Sequence, residues 1–290
     1  MGSFSGKNDS FKTKKTAVQA KAAGCQAKMP TVQQGAFHKV RFFLNLLFSN
    51  RSEFSDRIKT KVEGMVSPPQ LSFASNGLDL AAMLDQSSKY LGTDLNGFHQ
   101  EPAAVEIREH IASSRTRLNR PEAAAMHDAD AGLPDFCYVI CRALRPRVVV
   151  ETGVGSGVTT AFILQALAAN GDGHLWSIDL PPIGAEEYAG IFVPQHLRSR
   201  WTLLRGRSRD LLPRILREEL PAAPDLFLHD SLHTTRNMTF EYHAAWEKMA
   251  SGGILLSDDI HMSKAFARFM KDKQVGLSLV GKRFGVAVKG

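Results

Sequence analysis

The pattern of residues predicts an α/β protein: a Rossmann-like, doubly wound sheet of seven strands, mostly parallel, with a C-terminal antiparallel hairpin and preceding N-terminal helices. Three features carry that expectation. From about residue 133 short apolar runs alternate with helical segments, a glycine cluster separates the first run from its helix, and two short runs joined by Gly281-Lys282-Arg283 close the chain. A length of 290 residues with 43% hydrophobic composition supports a core of that size, which excludes disorder of the whole chain.

Residues 1–35 are rich in Lys, Ser, Ala and Gln without apolar periodicity, and mobility is expected there. Residues 36–61 predict a basic amphipathic helix around Phe42, Phe43, Leu46, Leu47 and Phe48, with packing on the main body favoured over a membrane surface. Pro68-Pro69 punctuates the chain. Two helices are expected next, over Asn76–Leu91 (Leu80, Met83, Leu84 and Leu91 on one side) and Pro102–Leu118 (Val105, Ile111 and Leu118 apolar). Leu133–Leu144 reads as a helix stopped near Pro146. Val148-Val149-Val150 is wholly apolar and β-branched, which suits a buried parallel strand. A helix over Gly157–Ala169 ends at Asn170-Gly171. Leu175–Asp179, Thr202–Leu204, Leu226–Leu228 and Ile254–Ser257 are further strands, each expected to lead into a helical segment. Leu277–Val280 and Phe284–Val288 form the hairpin. Three parts result: a basic arm (1–65), a helical cap or substrate-side segment (66–125) and the α/β domain (126–290).

The formal charge of +7 is not spread evenly. Residues 1–60 hold 11 Lys/Arg against 3 Asp/Glu, and the other 230 hold 25 against 26. The basicity therefore belongs to the arm, which could meet an acidic surface, while the body gives no reason to expect nucleic acid. Cys25, Cys137 and Cys141 cannot build a disulfide framework, and the spacing of the latter two fits packing on one helix face. The apolar run Phe42–Phe48 is too short to span a bilayer and starts too late for an ordinary signal peptide, so a cytoplasmic location is expected. A homo-oligomer is compatible with the sequence.

The sharpest motif is Glu151-Thr152-Gly153-Val154-Gly155-Ser156-Gly157, between a strand and a helix. Glycines there let the chain turn tightly and let a ligand approach the backbone. A valine at Gly153 or Gly155 is accordingly expected to fill the ligand's path while leaving the fold intact. A dinucleotide fingerprint needs a third glycine where Val158 stands. Glu151 would face a pyrophosphate unfavourably and suits a cationic, phosphate-free ligand. Asp179, ending the second strand, could accept hydrogen bonds from two ribose hydroxyls. Ribose with an ammonium group describes S-adenosylmethionine.

These residues carry a resemblance. Val149–Leu164, Trp176–Pro182, Leu203–Pro213, Asp225–His233 and Gly252–Ile260 resemble, in order, the motifs of class I S-adenosylmethionine-dependent methyltransferases. The likeness is to the bacterial group with an ETGV-type first motif, similar to the catechol O-methyltransferase-like branch, and it covers roughly residues 125–290. It implies that Glu151, Gly153 and Gly155 line the methionine part of the cofactor, with Ser156 in the same loop. It also implies that Asp179 holds the ribose and that Ser208 and Arg209 border the adenine.

Asp230 follows the fourth strand, and Asp258 and Asp259 follow the fifth. Such hard oxygen ligands suit Mg²⁺ or Ca²⁺. The resemblance matches them to Mg²⁺-binding positions, with one departure: the family pattern pairs Asp with Asn where Asp259 stands. Metal dependence stays open at this point. In a metal-free reading Asp230 holds cofactor or substrate and Asp258 caps the following helix. His233 stands where the resembling motif carries a basic catalytic Lys, and is read as a general base or substrate contact, against a plain polar loop residue. His229 is expected in the strand, His243 on a helix face and His261 facing the substrate.

The expected activity is methylation of a hydroxyl on a small molecule, a sugar or secondary metabolite. A nicotinamide oxidoreductase loses on the glycine spacing and on Glu151. A non-catalytic cofactor-binding interaction protein is disfavoured by the intact acidic positions. A base-amine methyltransferase of nucleic acid would resemble D/N-P-P-Y/F where this chain reads Asp230-Ser231-Leu232-His233.

Overall fold

A computed structural model describes residues 76–117, 132–181, 186–273 and 275–290, with isolated positions between 47 and 62. The chain divides into two compact units, Met1–Phe54 and Ser55–Gly290, and the sheet with its helices belongs to the second. Most of the basic arm, the helix expected over 36–61, Cys25, Pro68-Pro69, Leu118, Pro182 and the boundary near 125 lie outside the described residues.

The strands are β1 (Val148–Thr152), β2 (His174–Asp179), β3 (Trp201–Arg205), β4 (Leu226–His229), β5 (Ile254–Ser257), β6 (Val275–Val280) and β7 (Gly285–Lys289). They form one seven-stranded sheet in the order β3-β2-β1-β4-β5-β7-β6. β1 to β5 run parallel, and β7 lies antiparallel between β5 and β6. The expected Rossmann-like sheet with its hairpin is therefore present. Winding outward from β1 in both directions places the reversal of strand order between β1 and β4, where doubly wound folds take their ligands.

Alternation along each strand builds two core layers. Val149, Leu175, Leu228 and Leu256 face one side, where they pack with α4 (Gly132–Leu144) and α5 (Val158–Asn170). Val150, Ile178, Phe227 and Leu255 face the other, toward α6 (Ser208–Arg214), α7 (Thr235–Lys248) and α8 (Ala265–Asp272). Strands covered on both faces need apolar residues at successive positions, which is why they read as unbroken hydrophobic runs. Cys137 and Cys141 are buried within α4, where burial raises both thiols, Cys141 to about 12. Free thiols so placed act as small apolar groups.

The N-terminal helices depart from expectation in detail. α1 spans Leu80–Leu91, starting four residues later than read, because Leu78 forms a parallel bridge with Gly281 and Asp79 caps the helix through Ala82 N. A short helix α2 (Asn96–His99) leads to α3 (Pro102–Arg117), whose buried face is Ala104, Ile107, Ile111 and Ser114. Val105, read as apolar face, is exposed. Glu101 ties this segment to α4 by accepting from Tyr138 and Arg142. Between β2 and β3 the described chain forms two 3₁₀ turns, Glu186–Tyr188 and Gln195–Arg200, in place of the expected helix. Pro194 introduces the second of them.

Phe136 of α4 is fully buried, with its ring 5.3 Å from that of Phe284 in the hairpin. Phe136→Ala leaves a void at the junction of the helical layer and the hairpin. The expected loss is about 3–5 kcal/mol, read as a lowered urea midpoint at unchanged slope.

Candidate active site

The carboxyl edge of the sheet is stitched by hydrogen bonds that continue each strand pair by about one residue. Gly206 N donates to Asp179 O, Gly153 N to Ile178 O, Asp230 N to Thr152 O and Asp258 N to His229 O, all at 2.8–2.9 Å. The residues singled out by sequence thus stand along one edge in the order Asp179, Gly153, Asp230, Asp258.

The glycine loop owes its composition to contacts of the chain with itself. Gly153 has φ +85°, and a Cβ there would lie 1.9 Å from the carbonyl oxygen of Asp230. Gly157, also at φ +85°, would drive a Cβ to 2.7 Å from Gly190 Cα. The carbonyls of Gly155 and Ser156 accept from Gly190 N and Phe192 N, and Asp179 Oδ1 accepts from Val154 N at 3.0 Å. This corrects the expectation that a side chain at Gly153 would block a ligand and spare the fold: it would strike the backbone that carries Asp230.

Glu151 is fully enclosed, and its carboxylate accepts from Thr160 Oγ1 and Ser177 Oγ. Burial raises it to about 8, with Asp179 adding to the rise and the two hydroxyls opposing it. Ser208 opens α6 with its hydroxyl on Glu241, and the Arg209 guanidinium lies 4.7 Å over the Phe240 ring.

The residues that follow β4 and β5 converge. One ligand atom each from Asp230, His233 and Asp258 lies within 4.8 Å of the others. Burial, then the neighbouring Asp258, pushes Asp230 well above the usual carboxylate range. Burial and Asp259 raise Asp258 to about 6. Burial and then His229 lower His233 to about 4, so its imidazole is neutral at neutral pH. Asp258 Oδ1 and His233 Nε2 are buried without a hydrogen-bond partner.

Asp259 is set apart. Its backbone turns left-handed at φ +45°, and its Oδ1 takes Arg283 Nη2 at 2.6 Å. His233 Nδ1 and His261 Nδ1 stand 3.6 and 3.8 Å from its carboxylate. The cluster therefore contains His233 where sequence placed Asp259. Asp258 does not cap the next helical turn, whose N-cap is Asp259 without a side-chain bond. His243 lies against Phe269 on its helix face, as expected.

Sequence reasoning missed the group beneath the site. Glu241 is fully buried on α7 and accepts from Thr152 Oγ1 (2.5 Å), Ser231 Oγ (2.9 Å) and Asn237 Nδ2 (2.8 Å), with His229 Nδ1 at 2.6 Å. Burial works to raise it, but His229 and the hydroxyls of Ser208 and Thr152 outweigh that and hold it at about 2. One signal was available: Glu241 interrupts the apolar stripe Met238, Tyr242, Ala245. Nothing in the sequence marked Arg283.

Comparison with known proteins adds the decisive finding. Residues 150–260 match the family profile described as a methyltransferase domain. This segment contains the glycine loop, Asp179, Asp230, His233, Asp258 and Asp259. It is a class I, S-adenosylmethionine-dependent methyltransferase domain. The fold agrees. An O-methyltransferase from Bacillus cereus in complex with SAH is 18% identical, with 72% of this chain and 97% of that one covered and a TM-score of 0.51. The SAH-bound methyltransferase PaMTH1 of Podospora anserina is 15% identical, over 72% and 96%, with a TM-score of 0.50. No curated protein matches the sequence. The family match sets aside the nicotinamide oxidoreductase and the non-catalytic readings. Among the described residues of the methyltransferase no helix is long and apolar enough to cross a membrane.

Gly153→Val should cost more than the roughly 1–2 kcal/mol of a left-handed backbone alone, because a backbone clash adds to it. A normal melting temperature in the variant would refute this. The folded methyltransferase also holds a proton on Glu151 up to about pH 8, whereas an unfolded chain releases it near 4.5. Its contribution to stability is therefore full below pH 4.5 and lost as pH rises through 8. Glu151→Gln should flatten the decline in melting temperature between pH 5 and 8, and an unchanged slope would count against the assignment.

Proposed function

We propose that the methyltransferase transfers a methyl group to a hydroxyl of a small molecule, with S-adenosylmethionine lying across the β1–β4 switch point. The observation that carries this reading is the Asp230–His233–Asp258 cluster, which adjoins the glycine loop and can prepare an oxygen nucleophile. The SAH-bound O-methyltransferase of Bacillus cereus shares the fold, which supports the choice of oxygen.

The cofactor assignment runs along the edge. The loop Gly153–Ser156, above the enclosed Glu151, takes the methionine end. Asp179 takes the ribose while its other bond steadies Val154, and the first turn of α6, with Ser208 and Arg209, borders the adenine. The acceptor enters over the loops after β4 and β5. Exposed Leu232 and Met262 give that rim an apolar character, which favours a secondary metabolite over a sugar.

In the transfer the acceptor oxygen attacks the methyl carbon in line with the sulfur. The C–S bond breaks with its electron pair going to sulfur, and the hydroxyl proton leaves to the protein or to solvent. The binding site contributes alignment first, since this displacement requires no covalent intermediate with the protein. Proton removal is the second task. The cluster's donors fit a divalent cation: two carboxylates and a neutral imidazole, with buried atoms lacking partners. Mg²⁺ or another dication held by Asp230 and Asp258 would lower the pKa of a bound hydroxyl. Without one, the His233 lone pair is the base nearest the carboxylates.

Incubation with methyl-labelled S-adenosylmethionine and a panel of phenols, polyketide-type alcohols and sugars should label an oxygen of one acceptor class. Label on nitrogen or carbon alone would overturn the reading. Asp230→Asn should reduce turnover by about 10²-fold or more while SAH binding, measured by calorimetry, persists. Loss of SAH binding in that variant would instead make Asp230 a cofactor residue.

A further inference from the structure

We propose that His233 is a metal ligand through Nε2, so that Asp230, Asp258 and His233 select a first-row transition dication such as Co²⁺, Mn²⁺ or Zn²⁺ over Mg²⁺. This rests on the O-methyltransferase reading above and changes one role within it, from proton acceptor to ligand.

The geometry separates His233 from the residue that sequence placed in the sphere. Two ligands about 2.1 Å from one ion can stand at most about 4.2 Å apart. His233 Nε2 lies 3.9 Å from Asp230 Oδ1, inside that span. Asp259 competes poorly for the same ion. Its Oδ1 is engaged by Arg283 at 2.6 Å and 3.2 Å, through Nη2 and Nε, and its Oδ2 faces the opposite ring nitrogen of His233. A carboxylate beside Nδ1 is the arrangement that orients a ligating imidazole and turns its other nitrogen to the ion. Asp259 thus serves His233, and Arg283 holds Asp259 in place.

Two further atoms point the same way. Asp258 is 3% exposed, and its Oδ1 has no hydrogen-bond partner. His233 Nε2 is likewise buried and without one. Buried polar atoms left unsatisfied cost free energy, and a cation between them would recover it. The rest of the surroundings leaves these atoms available. His229, edge-on to His233 at 5.4 Å, is tied to Glu241 through Nδ1. His261 faces Asp259.

A nitrogen donor changes which ion is preferred. Mg²⁺ takes oxygen ligands in a near-ideal octahedron, whereas imidazole suits later divalent metals. Carboxylate-rich sites bind both kinds, so the third ligand decides.

The test reads the metal directly. The full chain, stripped of metal and loaded with Mn²⁺, should show nitrogen coupling in pulsed EPR that disappears in His233→Gln. Titration with Co²⁺ should give a visible absorption band, with affinity falling roughly 10-fold or more in His233→Gln. Asp259→Asn should keep the nitrogen coupling, since its oxygens are outside the sphere. Excess Mg²⁺ should fail to displace Co²⁺. SAH affinity measured on the same samples separates the two readings. Cation binding without nitrogen coupling, or equal Co²⁺ affinity in His233→Gln, returns His233 to the role of base and overturns the proposal. SAH binding with no cation bound overturns it also, and leaves the methyltransferase intact. A chain that binds cations and not SAH would refute the cofactor assignment instead.

Discussion

A buried carboxylate with nothing to accept would unfold this edge of the sheet, and Glu241 escapes that only through the residues gathered around it. Thr152 ends β1, His229 ends β4, Ser231 follows Asp230, Ser208 opens α6 and Asn237 lies one turn earlier on α7. Enclosing an ionised group costs several kcal/mol unless its lone pairs are filled. Filling them from four elements fixes where those elements end. Asp230 sits between two of the donors, and Gly153 comes directly after a third. The positions proposed to face the reaction are thereby set by a group beneath them.

The electrostatics of the edge then divide into compensated and uncompensated parts. Glu241 is balanced by donors, and Asp259 by Arg283. Asp230 and Asp258 have only each other, and burial with a neighbouring carboxylate shifts both upward, Asp258 for Asp230 and Asp259 for Asp258. A methyltransferase must accommodate a sulfonium cation and take a proton from its acceptor. On the reading proposed above, these two acids stand between those events. The basic character of the whole chain lies elsewhere, in its first 60 residues.

Much of this was legible from residues alone. β1 to β5 stand within two residues of where apolar runs placed them, because strands buried on both faces need such runs. The order of Glu151, Asp179, Asp230 and Asp258 along the chain carried the family resemblance, and the family match to residues 150–260 agrees with it. Periodicity served less well before residue 120. The face of α3 is built from Ala104 and Ser114 as much as from Ile107 and Ile111, so hydrophobicity alone chose Val105 wrongly. The glycine loop was found for an incomplete reason: Gly153 and Gly157 admit neighbouring backbone as well as any ligand.

Residue order alone carried the winding of the sheet, the strand ends that hold chemistry and the class of the enzyme. Each of these is written in local pattern, and burial on a sheet or turning in a loop enforces local pattern. Which side chains share a site was settled in three dimensions. Arg283 comes from the hairpin between β6 and β7 to claim Asp259, and Glu241 comes from α7 to claim His229. The first pairing depends on β7 lying beside β5 in the sheet, the second on α7 folding back over β4. Charge acts through space, so the partner of an acidic residue depends on which loops the fold brings to one edge.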